Sequence, residues 1–148
     1  MHAKDAEDFR DGAIKLHTHD DFNGMRKAGR LAAECLDMLV PLTRPGISTE
    51  TIDKAAREFV LDNGAIPACL GYRGYQHTVC TSVNHVVCHG IPNSKTLKNG
   101  DIVNIDVTVI VDGWHGDTSR MYPIGEINRK AERLINITYE SLLLGIAE

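Results

Sequence analysis

The stretch Ile102–Val111, followed at once by Asp112-Gly113, constrains the fold more than any other part of the chain. Val103, Ile105, Val107, Val109 and Val111 occupy alternate positions, so a strand places them all on one face and Asn104, Asp106 and Thr108 on the other. Helical spacing would scatter the same residues around an axis. Asp-Gly after such a run predicts a two-residue hairpin that returns the chain through Trp114–Tyr122 as an antiparallel partner. A turn of that length sets Thr108 opposite Asp117 and makes Asp106 the diagonal neighbour of Asp117 on the same sheet face.

Two carboxylates so placed repel, and each raises the other's pKa unless a cation or a proton lies between them. Aspartate also suits strands poorly, so a pair of them beside a run of Val and Ile calls for compensation. A divalent metal pair bridged by carboxylates would supply it. A solvated polar face of an antiparallel sheet, or an acid pair sharing one proton, fits the same pattern, and the pattern leaves the three open.

The rest of the chain supplies cover for this sheet. Met25, Ala28, Ala32, Cys35, Leu36 and Leu39 recur at helical steps within Phe22–Val40, and Pro41 ends that helix. Pro45-Gly46 predicts a turn, Ser48 or Thr49 a helix cap, and Ile52, Ala55, Ala56, Phe59 and Val60 the inner face of a second helix ending at Asn63-Gly64. Strands are predicted at Thr78–Val83 and Val86–Gly90, joined at Asn84-His85, which would set Cys80 opposite His89. A late helix from about Arg129 carries Ala131, Leu134, Ile135, Thr138 and Leu142 on one stripe and runs on to Glu148 without a stop signal. The order of elements predicts an α+β layer with an antiparallel sheet and covering helices.

Composition narrows the function classes. With 148 residues, 43% of them hydrophobic, the chain can bury one core, placed at residues 22–148 behind a polar tail at 1–21. His17-Thr18-His19-Asp20-Asp21 contains metal-ligand residue types but reads as the solvated end of that tail and a helix cap. A net charge of -4 without clustered Lys and Arg argues against nucleic-acid binding, and no apolar run is long enough for a bilayer. Cys35, Cys69, Cys80 and Cys88 form no CxxC pair, so they are expected as free thiols in the cytoplasm.

Cys69, Tyr72, Tyr75 and Cys80 suit a small apolar pocket with tyrosine hydroxyls at its mouth, or the edge of a core. His89, beside Gly90 and Pro92, suits a hydrogen-bonding role or a structural one. His77, His85 and His115 carry the structural reading, although His115 is also within reach of the hairpin carboxylates. Adjacent strand residues point to opposite faces, so Cys88 and His89 are not expected to form a thiol dyad.

Taken together, several segments resemble type I methionine aminopeptidases. They are Cys69-Leu70-Gly71-Tyr72-Arg73-Gly74-Tyr75, Ser82-Val83-Asn84, Val86-Val87-Cys88-His89-Gly90-Ile91-Pro92, Asn99 through Thr108, and His115-Gly116-Asp117-Thr118-Ser119. The likeness extends to Met25–Ala33 and Pro45–Thr49. It implies a pita-bread fold, of which this chain would be the N-terminal half plus the first helix of the second half. It also implies two divalent metal ions (Co, Mn, Fe or Zn), with Asp106 binding one through both oxygens and Asp117 bridging the two. His89 would hydrogen-bond substrate near the scissile amide, Cys69, Tyr72, Tyr75 and Cys80 would surround the methionine side chain, and Thr108 would stand beside the metals. In such enzymes a metal-held hydroxide attacks the first peptide carbonyl and releases the initiator methionine from nascent proteins.

The sequence departs from that family in two respects. Gln76 stands where the family has proline, which is expected to loosen the pocket loop. The family's other ligands, a histidine and two glutamates, one of them the general base, together with a further substrate-contacting histidine, belong to the second half. This chain is therefore expected to be part of a longer protein, cytoplasmic and monomeric when complete, and inactive by itself. Its expected partners are N-terminal Met peptides, with the ribosome a further candidate. A non-catalytic half-fold module binding a peptide or the ribosome, and another pita-bread aminopeptidase acting before proline, are the alternatives.

Overall fold

The computed structural model describes Ile14 and residues 16–148; residues 1–13 and Lys15, and with them most of the expected tail, lie outside the described residues. Helix α1 spans His19–Leu39 and opens on a capping box. The Thr18 hydroxyl accepts from the Asp21 N–H at 3.4 Å, and the Asp21 carboxylate accepts from the Thr18 N–H at 2.7 Å. The helix therefore starts ahead of Phe22, because Asp20 and Asp21 favour the positive end of its dipole and belong to the first turn. Ala28, Ala32, Cys35, Leu36 and Leu39 are buried as their spacing predicts. Met25 is not: it is 47% exposed, because at that level the contact is made by Trp114, whose indole lies directly on Gly24.

After a 3-10 turn at Val40–Leu42, helix α2 spans Thr49–Asp62, capped by Ser48, whose hydroxyl accepts from the Thr51 N–H at 3.1 Å. Four strands follow: β1 (Ile66–Pro67), β2 (Val79–Val83), β3 (Ile102–Val111) and β4 (Trp114–Pro123). They form one antiparallel sheet built on β3. β4 pairs along its whole length, with Thr108 opposite Asp117 as the turn requires. β2 pairs from Val79↔Val107 to Val83↔Val103, and β1 pairs through Pro67↔Val109.

The predicted strand Val86–Gly90 does not form. Asn84-His85 is a turn, but the chain then runs irregularly, with Asn84 and His89 both at positive φ (55° and 54°). Its hydrogen bonds to β2 are Val86 N–H to Val83 O at 3.2 Å across the turn, Thr81 N–H to Gly90 O at 2.8 Å and Gly90 N–H to Ser82 Oγ at 3.1 Å. Two left-handed residues within six positions break the pleat that a ladder needs, and β2 pairs with β3 instead.

Helix α1 lies on β3 and β4, and α2 on β1 and β2, so one sheet face is covered. Val103, Ile105, Val107 and Val109 are fully buried there, each worth about 1.5–3 kcal/mol relative to exposure. The Tyr122 hydroxyl crosses the layer to donate to Leu36 O at 2.7 Å. The closest approach of helix to sheet is at Gly116, where a Cβ would overlap the Ala28 carbonyl. Helix α3 (Arg129–Ala147), capped by Asn128, fully buries no residue; of its predicted stripe Ala131 and Ile135 are partly covered, while Leu134, Thr138 and Leu142, with Leu143 and Leu144, stand in solvent.

Gly116→Ala should therefore lower stability by about 1–3 kcal/mol in urea denaturation. Gly29→Ala, on α1 where a Cβ meets nothing within 4 Å, should raise it by up to about 1 kcal/mol. Equal effects of the two substitutions would refute the close approach.

Candidate functional site

The uncovered sheet face carries the polar side chains of β3. Asp106 is half-buried, paired with Cys80 on one side and Ser119 on the other. Its diagonal neighbour Asp117 is exposed, and the two carboxyl groups are close enough for each to act on the other. Burial and then the Asp117 charge push the Asp106 pKa up, while His89 pulls in the opposite direction. His89 thus stands near enough to act on Asp106, and it comes from a loop, not from the predicted strand. Gly90 makes that possible, since a Cβ there would overlap the Thr81 carbonyl.

Cys69 joins the same group. Ala68 N–H donates to Thr108 O at 2.9 Å, which brings Cys69 alongside Thr108. Burial raises the Cys69 pKa, the neighbouring Thr108 side chain opposes the rise, and Cys80, Asp106 and Asp117 add to it. Burial likewise raises Cys80, against the opposing effect of the neighbouring Tyr75 side chain. Tyr75 is pushed well above the tyrosine range, chiefly by burial, and its hydroxyl donates to Val79 O at 2.9 Å. Both thiols and the phenol are therefore uncharged at neutral pH and form a polarisable, half-buried wall beside the carboxylates.

Tyr72 is not drawn into this group. It is 64% exposed, on a tight turn between Gly71 (φ 85°) and Arg73 (φ 48°), with the Arg73 guanidinium 5.4 Å from its ring centre. His115 lies on the same sheet face as Asp117, opposite Ile110, and His85 is exposed on its turn. His77 bonds through Nδ1 to Asp53 at 3.1 Å, an interaction the sequence reading missed. Its signal was present: Asp53 falls on the buried stripe of α2 with Thr49, Ile52, Ala56 and Val60. Two surface cavities of ≈ 680 and ≈ 710 Å³ lie elsewhere, one around Thr49, Asn84 and Lys98, the other along Arg26, Lys27 and Arg30 of α1.

Two neighbouring carboxylates offer the hard oxygen donors that divalent cations prefer, and a cation would relieve their mutual repulsion. Asp106 and Asp117 fit part of a metal site. Among the described residues no group of three or more His, Cys, Asp or Glu side chains converges to complete one.

This fold and the paired carboxylates belong to a class of metal-dependent peptidases: residues 23–148 match metallopeptidase family M24, and the chain is a member of that family. Its relatives include proteins named methionine aminopeptidase from Rickettsia prowazekii, 55% identical over 133 residues, and from Escherichia coli strain K12, 53% identical over 136. Each alignment covers 90% of this chain and 51% or 52% of the relative, so the chain spans about half their length. The crystal structure of the Rickettsia prowazekii enzyme superposes with a TM-score of 0.87 at 54% identity, over 88% of this chain and 53% of that one. A Bacillus anthracis Xaa-Pro dipeptidase shares the pita-bread fold at 21% identity, with a TM-score of 0.75 over 86% of this chain and 35% of its own.

The raised Asp106 pKa has a sign that can be checked. A carboxyl whose folded pKa exceeds its unfolded value favours the fold while protonated, and that benefit is lost as pH rises through the folded pKa. In metal-free protein, Asp106→Asn should thus gain stability relative to the parent as pH rises from acid to neutral, measured as the difference in Tm. A difference that stays flat or shrinks would contradict the assignment.

Proposed function

We propose that this chain supplies the first half of a methionine aminopeptidase centre, in which Asp106 and Asp117 hold divalent metal ions and His89 contacts the substrate. The observation that carries the reading is the abutting Asp106–Asp117 pair set against a wall of neutral thiols and phenol. Identities of 53% and 55% to proteins named methionine aminopeptidase support the same reading.

Each residue has a physical part. A methionine side chain is unbranched and polarisable, and the neutral sulfurs of Cys69 and Cys80 beside the Tyr75 ring offer it dispersion contact without competing charge. The imidazole of His89, close enough to influence Asp106, can hydrogen-bond the amide being cleaved. Thr108 stands beside Cys69 and opposite Asp117, tying the wall to the carboxylates. Tyr72 enters the pocket only if its turn closes over bound substrate. Bound divalent ions (Co, Mn, Fe or Zn) would polarise the scissile carbonyl and make water more acidic. Two carboxylates are too few for two ions, so the remaining donors and the general base belong to chain beyond these residues.

The substrates on this reading are N-terminal Met peptides of nascent chains, which places the protein in the cytoplasm, with the ribosome as a further partner and a monomer as the working unit. No helix among the described residues is long and apolar enough to cross a membrane. A peptidase acting before proline is disfavoured, since the likeness to the Xaa-Pro dipeptidase is one of fold. A non-catalytic module would leave the Asp106–Asp117 repulsion without a use.

The full-length protein should release free methionine from Met-Ala peptides only with added divalent metal. Asp117→Asn should lower kcat/KM by about 100-fold or more, in the range of lost metal-site electrostatics. The 148-residue chain by itself should show no hydrolysis. Methionine release assayed by amino-acid analysis checks all three, and full activity in Asp117→Asn would sink the ligand role.

A further inference from the structure

Asp53 lies on α2, on the covered side of the sheet and outside every motif that marks the candidate site. Its side chain is 12% exposed and makes three contacts with one short segment. Oδ1 accepts from the N–H of Thr78 at 2.7 Å and of Val79 at 3.0 Å, and Oδ2 meets His77 Nδ1 at 3.1 Å. The two backbone donors sit where the loop from Tyr75 becomes β2, one just ahead of the first ladder pair Val79↔Val107 and one on it. A buried carboxylate accepting two backbone N–H groups makes strong, directional bonds.

The segment so fixed carries the proposed pocket wall at both ends. Tyr75 precedes it and Cys80 follows it, and the two side chains lie close enough to influence each other. The Tyr75 hydroxyl also returns to Val79 O at 2.9 Å, on the residue whose N–H Asp53 holds. The His77 ring packs edge-on to the Tyr75 ring at 5.7 Å between centres. The carboxylate charge is felt at both Tyr75 and Cys80. Gln76, between them, donates from its side chain to Gly74 O at 2.9 Å and lacks the fixed φ that proline would give the loop at that position.

We infer that Asp53, with His77, is a positioning residue for the side-chain pocket: it holds residues 77–79 so that Tyr75 and Cys80 keep the spacing that admits a methionine side chain. Asp53 touches neither substrate nor metal in this role, and the role presupposes that Tyr75 and Cys80 line the pocket as proposed above. It acts on selectivity and KM through the wall, leaving the carboxylate centre across β3 unchanged.

In the full-length, metal-loaded protein, Asp53→Ala should raise KM for Met-Ala by about tenfold and reduce the preference for Met-Ala over Leu-Ala, with kcat within about threefold of the parent. Asp53→Asn keeps an acceptor oxygen for Thr78 and Val79 and should restore most of both. His77→Ala removes one contact and should fall between; it carries the test if Asp53→Ala does not fold. A second readout needs no turnover. In a Cys88→Ser background, Asp53→Ala should speed modification of Cys80 by 5,5′-dithiobis(2-nitrobenzoate) several-fold, with the labelled cysteine located by mass spectrometry.

Parent-like KM, selectivity and Cys80 labelling in folded variants would overturn the inference. So would an equal loss of kcat on every substrate that asparagine fails to rescue. A parent that releases no methionine while Cys80 labelling still responds to Asp53→Ala would refute the proposed activity and leave the positioning role standing.

Discussion

The register of β3 against β4 is the constraint on which the rest of the site depends. It is set at one end by Asp112 (φ 51°) and Gly113 (φ 88°), both left-handed as a type I′ turn requires, and along its length by the alternation of valines. A slip of one residue would turn Val103, Ile105, Val107 and Val109 out to water, at about 1.5–3 kcal/mol each, and carry Asp106 under the helices. The carboxylate pair meets because the apolar face cannot move. The Lys27–Asp112 contact at 2.6 Å ties the turn to α1, but both partners are exposed, and the hydrophobic register dominates.

On the open face, hard and soft chemistry lie side by side. The oxygens of Asp106 and Asp117 repel one another, while burial keeps the thiols of Cys69 and Cys80 and the phenol of Tyr75 neutral. The same half-burial that keeps the wall apolar makes charge on Asp106 unfavourable. A cation at the carboxylates would relieve that, so ligand capture and stability are coupled on this strand.

Those parts of the fold that rest on local chemistry were legible in the sequence. The β3–β4 hairpin, the Ser48 cap and the breaks at Pro41 and Asn63-Gly64 each follow from a period or a turn residue within a few positions. The failures are tertiary. Val86–Gly90 has strand composition, but the loop is shaped by the approach of Gly90 to Thr81, which no local pattern announces. Met25 follows the helical stripe and yet faces solvent because Trp114, far along the chain, claims Gly24. Asp53 was readable in principle as a carboxylate on a buried helical stripe; its partners at Thr78 and Val79 were not. The nearness of Asp106 to Asp117 follows from register alone, whereas residue pattern leaves Cys69, Tyr72 and His89 open between a pocket or hydrogen-bonding role and a structural one, and likeness to a family narrows them. The structure gathers Cys69 and His89 at the site and leaves Tyr72 apart.

His89 sits at φ 54°, in a backbone region where an L side chain costs about 1–2 kcal/mol and glycine almost nothing. Its imidazole is delivered to the carboxylates by that torsion, with Gly90 wedged against Thr81 just behind it. Stability and chemistry therefore pull in opposite directions at a single Cα. A glycine there would relax the loop and remove the side chain the loop is bent to present, so substitutions that make this segment more robust are those most apt to disable it.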